Sequence, residues 1–510
     1  MKEALQRWKA HLSPAGNGCE ARWRWVTGSV AAALLFSCAL LAYSAFLSAH
    51  YRWRCPDCVP SPAAPALRSA SASAAAAATD LSHVVFGIGG SARTWDRRRG
   101  YTELWWRPGE MRGHVWLDEA PAGPWPATSP PYRVSADASR FGNRASAARI
   151  ARIAAEAYRA ASDPDSGWGG GEAARWFVMG DDDTVFFPEN LVGVLGKYDH
   201  EEMYYIGAPS ESVEQDVMHS YAVAFGGAGF AISYPAAAEL ARIIDACLQR
   251  YTNFYGSDER VSSCLSELGI PLTLEPGFHQ VDVRGDAYGM LAAHPIAPLV
   301  SLHHLEYLKP VSPRGATQLE ALRSLVGASR FDPARIVQQS ICYERGPGYV
   351  WSVSVSWGYT VQLYPWTLYP TALEVALETF QTWRSFSPGP FTFNTRPVGP
   401  QDRPCQRPLI FFLDRVESYP DRARTWGGVN GTVTDYVMGE AGSNYHGCEG
   451  RGFGPASKIR KVTVFAPVMN PNSWKRAPRR QCCRTSRTKR GRVLEVRINN
   501  CSPGEVITPP

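Results

Sequence analysis

The chain has 510 residues, 45% of them hydrophobic and 20% charged, a globular composition long enough for more than one domain. The net charge is +6, and much of that excess lies in one late run, "WKRAPRRQCCRTSRTKRGR". A balance this small and this localised argues against a nucleic-acid binder built around one basic face, and no nucleic-acid partner is expected.

Residues 1–25 read as a short cytosolic tail. Residues 26–49, "VTGSVAAALLFSCALLAYSAFLSA", carry no charge. As a helix they extend about 33–36 Å, enough to cross a bilayer. Lys2, Arg7, Lys9, Arg22 and Arg24 precede the run against Glu3 and Glu20, and Arg52 and Arg54 follow it. The excess of cations before it predicts a single-pass type II anchor with the bulk of the chain lumenal. A cleaved signal peptide is the alternative, but the run is long and begins deep in the chain for one. Ten of the twelve cysteines lie beyond it, where disulfides are permitted. Zinc at Cys55-Pro-Asp-Cys58 is not expected, because no second ligand pair follows. The triplets Asn430-Gly-Thr and Asn500-Cys-Ser are compatible with a lumenal face. Residues 50–79 are Ala, Ser and Pro, a composition that forms a stem rather than a core.

From residue 80 the texture is that of a folded α/β domain. His83 to Ile88 reads as a buried strand opening onto glycines, and "GHVWLDE" as a second strand ending at Asp118. "ASAARIARIAAEAYRAA" has the spacing of a helix, and "RWFVMG" is a third strand. "PENLVGVLGKY" begins with proline and glutamate, as a helix start prefers. "SYPAAAELARIIDACLQRY" is a further helix. "GSDERVSSCLSELG" is another, with Ser257 as N-cap and Gly269 as stop. Alternating strands and helices predict a sheet whose ligands sit at strand carboxyl ends. Residues 311–510 form a β-rich C-terminal region, with "YVWSVSVSWGYTVQLY", "PLIFFLDRV", "KVTVFAPV" and "RVLEVRI" as strands.

Three consecutive acids, Asp181, Asp182 and Asp183, stand at one predicted strand end between apolar runs. Their mutual repulsion is relieved if a hard divalent cation bridges them, and such cations use carboxylates together with substrate phosphates. Solvated acids on a polar loop are the plain alternative. Two chemistries fit the pattern: a cation holding the diphosphate of a nucleotide-sugar, or a haloacid-dehalogenase-type phosphatase with Asp181 as nucleophile, whose Asp-x-Asp-x-Thr/Val pattern Asp181, Asp183 and Val185 satisfy. An EF-hand is excluded, since its sixth-position glycine and twelfth-position glutamate are missing.

The acid triplet belongs to an ordered series: "RWFVMGDDDTVFFPENL", "YYIGAPSES", "AFGGAGFAISYPAAAEL", "YGSDERVSSCLSELGIPL", "PGFHQVD" and "PLVSLHHLEYLKP". Over about 80–310 this series resembles the fringe-like glycosyltransferases, the family that includes the core 1 galactosyltransferases, and most closely the plant fringe-related group of unassigned specificity. The resemblance implies a GT-A fold, a UDP-sugar donor, Mn²⁺ or Mg²⁺, and inverting transfer to a hydroxyl of a glycan or glycoprotein acceptor, commonly in β1,3 linkage. It implies a Golgi enzyme with its catalytic domain in the lumen. Asp181 and Asp183 match the family's metal-binding carboxylates, with Asp182 beside the donor. His303 matches the late histidine ligand; His304 and His279 are alternatives. Gly226, Gly227 and Gly229 match a substrate-binding loop, although a tight turn before a helix also asks for glycine. Asp258 matches the general base that takes the acceptor's proton, with Glu259 its neighbouring alternative. Ser91 and Arg93 fall where the family binds the nucleotide; Arg112 and Asp118 are weaker candidates.

Several features carry a plainer expectation. "RRRG" at Arg97 to Gly100 reads as a solvated face. Of the 17 tryptophans most are expected in the core, and Trp351, Trp357 and Trp366 are those considered for stacking on sugars. The basic late run would attract an acidic polysaccharide, or is simply solvated. A non-catalytic lumenal carbohydrate-binding protein on the same fold is the reading from a different class.

Overall fold

The computed structural model describes residues 37–40, 42–43, 78–163, 174–400, 402–419, 430–439, 447–475, 477–488 and 491–510. The chain divides into two units, Met1–Ala77 and Ala78–Pro510. In the first, Ser37 to Leu40 is helical and exposed. Most of the predicted anchor and all of the stem up to Ala77, Cys55 and Cys58 included, lie outside the described residues. Among the described residues no helix is long and apolar enough to cross a membrane.

The second unit opens with the strands the apolar runs predict: β1 (Val84–Gly89), β2 (Arg112–Leu117), β3 (Tyr132–Val134), β4 (Trp176–Asp181), β5 (Val185–Phe186), β6 (Tyr205–Gly207), β7 (Phe230–Ser233), β8 (Leu272–Leu274), β9 (Phe278–His279), β10 (Val283–Gly285) and β11 (Ser301–Leu302). Seven of them form a sheet in the order β3-β2-β1-β4-β7-β6-β8. All neighbours run parallel except at β7, which is antiparallel to β4 and β6. Alternation along β1 divides two cores. Val84, Phe86 and Ile88 face one with Trp105 and Phe186, while Val85 faces the other. That second core is built with the helices α2 (Ala145–Ser162), α5 (Tyr234–Arg250) and α6 (Ser257–Glu267). A disulfide, Cys247–Cys264, joins α5 to α6. The shorter helices α1 (Trp95–Glu103), α3 (Pro188–Leu195) and α4 (Val213–His219) lie between strands.

A small ribbon in the order β5-β11-β9 places late residues beside the acid turn. β11 pairs with β5 through Ser301 and Phe186, and with β9 through Ser301 and Phe278. The C-terminal half builds an eight-stranded sheet that begins with β12 (Gln339–Gly346), β13 (Tyr349–Ser356) and β14 (Thr360–Tyr364). Its core is continuous with that of the first half, one cluster running from Phe86 through Leu299 and Trp357 to Val496. Three disulfides, Cys342–Cys483, Cys405–Cys448 and Cys482–Cys501, fasten this half. Trp351 and Trp357 are 0% exposed, so neither offers a face to a sugar. Trp351 spends its indole N–H on the Gly452 carbonyl. Asn430 and Asn500 are exposed.

Candidate functional site

β4 delivers the acids to the carboxyl edge of the sheet. The turn that follows closes with the Thr184 N–H on the Asp181 carbonyl at 3.1 Å. The Thr184 hydroxyl accepts from the Asp181 N–H at 2.8 Å and donates to the Gly227 carbonyl at 2.7 Å. One buried hydroxyl therefore pins the acid turn to the glycine loop. Asp182 and Asp183 are 2% and 1% exposed, whereas the Asp181 side chain keeps 38% of its surface open.

The β11 ribbon carries His303 to this turn. His303 Nε2 lies 3.1 Å from Asp183 Oδ1 and 3.7 Å from Asp181 Oδ2. One ligand atom from each of Asp181, Asp183 and His303 falls within 4.8 Å of the others. That spacing suits a single small cation, around which adjacent ligand atoms stand about 3 Å apart, and an oxygen-rich donor set suits Mn²⁺ or Mg²⁺. The residues present fit the group. Burial works against a charged imidazole, but Asp183, by charge and hydrogen bond, and then Asp181 outweigh it and raise His303 to about 9. The dense packing around Asp181 also pushes its carboxyl up, opposed by His303 and reinforced by Asp183, Asp182 and Asp258, although its 38% exposed side chain tempers that shift. Buried negative charge is thus concentrated here beyond what one histidine neutralises.

The second compensating charge is Arg98, on α1. Its guanidinium lies 3.1 Å from Asp182, 3.4 Å from Asp183 and 2.9 Å from Glu306. Burial nevertheless pushes Asp182 up to about 6, with Asp183 adding repulsion and Arg98 opposing both. The "RRRG" run is therefore not wholly a solvated face. Three consecutive cations in the sequence hide that one of them turns inward, and the signal that finds it is spatial. Arg149 on α2, which no motif marks, likewise turns inward and donates to the carbonyls of Trp116 and Gly90 at 3.1 and 2.9 Å. The cation bridging these acids is an arginine, which gives no support to a phosphatase that needs a lysine; Lys197 is engaged by Glu275 at 2.8 Å.

The three glycines have different reasons. A Cβ at Gly227 would fall 2.1–2.6 Å from three atoms of the His303 ring. Gly229 has φ +84°, a conformation that side chains disfavour, and a Cβ there would meet the Phe186 ring at 2.7 Å. Gly226 has room, with Asp258 the nearest neighbour at 3.8 Å. Its N–H donates to Asp258 Oδ2 at 3.0 Å. Asp258 sits in the first turn of α6, whose N-cap is Gly256 rather than Ser257. Burial raises its carboxyl, and the Gly226 hydrogen bond opposes the shift. Asp181, Gly226 and Asp258 line one cleft. Glu259 points elsewhere: it caps the Gly256 N–H at 2.9 Å and meets His219 at 3.1 Å.

The remaining candidates fall into place around this center. His304 stands behind His303 with its Nδ1 2.8 Å from Asp282, outside the three-ligand cluster. His279 belongs to another locality. It meets Glu211 at 3.0 Å and His294 at 2.9 Å, and lines a cavity of about 700 Å³ between the two halves. At the carboxyl ends of β1 and β2, Asp118 accepts from the Ser91 hydroxyl and the Ala92 N–H, both at 2.9 Å. Arg93 is 81% exposed on its side chain and reaches Glu119 at 3.3 Å. Arg112 is the first residue of β2 and donates to the Ser82 carbonyl. It lies at the amino end of that strand, away from the acids, because parallel register sets Arg112 against Val85 and Trp116 against Gly89. It is no donor contact.

Comparison with known proteins accords with this arrangement. The family described as "Protein of unknown function, DUF604" matches residues 215–483, more than half of the chain. The chain belongs to this DUF604 family. The family described as "Fringe-like" matches residues 140–287 of the same DUF604 chain, so the fringe-like resemblance holds over α2, the acid turn, the glycine loop and α6. A mouse (Mus musculus) protein named beta-1,3-glucosyltransferase is 32% identical over 139 residues, which are 27% of the DUF604 chain. The match spans 26%, about a quarter, of that enzyme's length.

Proposed function

We propose that this protein is a glycosyltransferase that moves a sugar from a UDP-sugar to a hydroxyl of a glycan or glycoprotein, with inversion and a β1,3 linkage as the working expectation. The observation that carries the reading is the convergence of Asp181, Asp183 and His303 on one point, with Asp181 also lining a narrow crevice shared with Asp258. Asp181, Asp183 and His303 would hold Mn²⁺ or Mg²⁺, which when bound supplies charge to offset that of a departing diphosphate. Asp258, lifted by burial and oriented by the Gly226 N–H, would take the proton of the acceptor hydroxyl as it attacks the anomeric carbon. Ser91 and Asp118, fixed to each other at the ends of β1 and β2, would border the nucleotide. The mouse relative's name supports β1,3 glucosyl transfer as the first chemistry to try.

We also propose that residues 26–49 anchor the chain in the Golgi membrane as a type II protein, with Ala78–Pro510 lumenal. Four disulfides among the described residues favour an oxidising compartment. Purified protein beginning at residue 80, offered a panel of UDP-sugars with Mn²⁺, should release UDP with one of them. Loss of that release in Asp183→Ala is expected; full activity in that variant would refute the metal assignment, whereas no turnover with any donor alongside metal-independent glycan binding would favour the carbohydrate-binding reading.

A further inference from the structure

We infer that the C-terminal half completes the metal site by supplying Trp383, a positioning residue that fixes the plane of the His303 imidazole through a stack of four groups. The inference rests on the metal reading above.

A metal-bound histidine usually donates its second ring nitrogen to an acceptor, and that hydrogen bond sets the ring's orientation. His303 lacks this support: its Nδ1 is buried with no hydrogen-bond partner. What holds the ring is packing. On one side the backbone of Gly227 leaves no room for even a methyl group. Next to His303 lies the His304 ring, centroid to centroid 4.0 Å with the planes 32° apart. His304 in turn lies flat on the indole of Trp383, at 4.4 Å and 3°. The guanidinium of Arg284 covers Trp383, 4.0 Å from its centroid.

Each layer is anchored from its edge. Asp282, fully buried, holds His304 Nδ1 at 2.8 Å and takes the Ser210 hydroxyl at 2.7 Å. Two residues on, Arg284 donates its Nε–H to the Trp383 carbonyl at 3.2 Å. β10 pairs with the short strand Phe380–Thr382, setting Val283 against Thr382, so Trp383 leaves that strand at the stack. Glu214 on α4 accepts from the N–H groups of Arg384 and Ser385 at 3.1 and 3.3 Å and fixes the turn after it. His304 has φ +52°, a strained backbone that its Asp282 and Trp383 contacts maintain. Trp383 lies about a hundred residues beyond the fringe-like match, within the DUF604 match. The stack therefore joins a ligand-bearing ribbon of the first half to a turn of the second.

Isothermal titration of the purified protein with MnCl₂ tests this, with melting temperature measured on every variant. Trp383→Ala should weaken Mn²⁺ binding about 10–100-fold, the range for residues that orient a ligand. Trp383→Phe, which keeps a flat ring, should recover most of that loss. Equal Mn²⁺ affinity in wild type and a folded Trp383→Ala overturns the inference while leaving the metal site standing. If Trp383→Ala does not fold, Arg284→Gln, which uncovers the indole and removes its hydrogen bond to the Trp383 carbonyl, should weaken Mn²⁺ several-fold, and unchanged affinity there refutes the stack. Wild type that binds no Mn²⁺ refutes the metal reading and this inference together.

Discussion

Gly227→Ala is the sharpest single test of the site's geometry. The added Cβ would stand 2.1 Å from His303 Cε1, 2.3 Å from Nδ1 and 2.6 Å from Nε2. Ordinary carbon contacts begin near 3.5 Å, so ring or loop must retreat by about 1 Å. The loop has little freedom to do so. Thr184 holds the Gly227 carbonyl at 2.7 Å, and Gln280 holds the Ala228 N–H at 2.7 Å. The ring therefore moves, and Nε2 leaves its place 3.1 Å from Asp183. A displacement of that size costs on the order of 10²-fold in turnover when the moved group is part of the machinery. Gly226→Ala is the internal control, because its Cβ meets nothing closer than 3.8 Å and its N–H to Asp258 survives. Mn²⁺ affinity and UDP release should both fall about a hundredfold in Gly227→Ala, while Mn²⁺ affinity in Gly226→Ala should change by less than about threefold. Two glycines behaving alike, both lost or both retained, would refute the assignment of Gly227 to the back of the imidazole.

Other perturbations follow from charge and burial. As the proposed base Asp258 would have to be ionised, so the acid limb of the rate profile should fall as pH drops through a midpoint above the usual aspartate value of about 3.9. Asp258→Asn should remove that limb and about 10²–10⁴-fold of the rate. Asp216 is buried, has an unpartnered Oδ2, and is raised to about 7 by burial, with Glu211 and Asp282 adding repulsion. A carboxyl raised on folding favours the folded state below the unfolded value near 3.9 and loses that favour as pH climbs through 7. Asp216→Asn should therefore gain melting temperature relative to wild type as pH goes from 5 to 8, and a constant difference would contradict the burial argument. Arg98→Met leaves Asp182, Asp183 and Glu306 without their shared cation. Its melting temperature should drop without metal, and Mn²⁺ should raise it by more than it raises wild type.

Much of the first half was legible because its signals are local. Buried strands ending in glycine or aspartate, and helices with apolar spacing over 145–162 and 234–250, follow from periodicity that neighbouring residues carry themselves. Asp181, Asp183 and His303 were legible as a series of motifs, and their meeting required β11 to pair with β5. Arg98 was not legible. Its partner Glu306 is 208 residues away, and nothing in "RRRG" distinguishes the inward arginine from its neighbours. Trp351 and Trp357 show the converse. An aromatic in a strand-like run also reads as a sugar platform, although the core is the plainer expectation, and the complete burial of Trp351 in its strand and of Trp357 in the turn after it decides for the core. The division at residue 310 reflects a change from helices to strands, but apolar packing continues across it.

The pairing of β11 with β5 also has a consequence in time. Asp183 and His303 are 120 residues apart in the chain. At a synthesis rate of roughly 5–20 residues per second, the acid turn is synthesised about 6–24 s before its histidine. Throughout that interval a growing chain holds three aspartates next to one another with no imidazole to share their charge. Of the two counter-ions the finished site uses, Arg98 is the one already made during that interval. The arginine that the finished site keeps at 3.1 Å from Asp182 would then be a companion of the acids from birth, before the ribbon that brings their other partner has been translated.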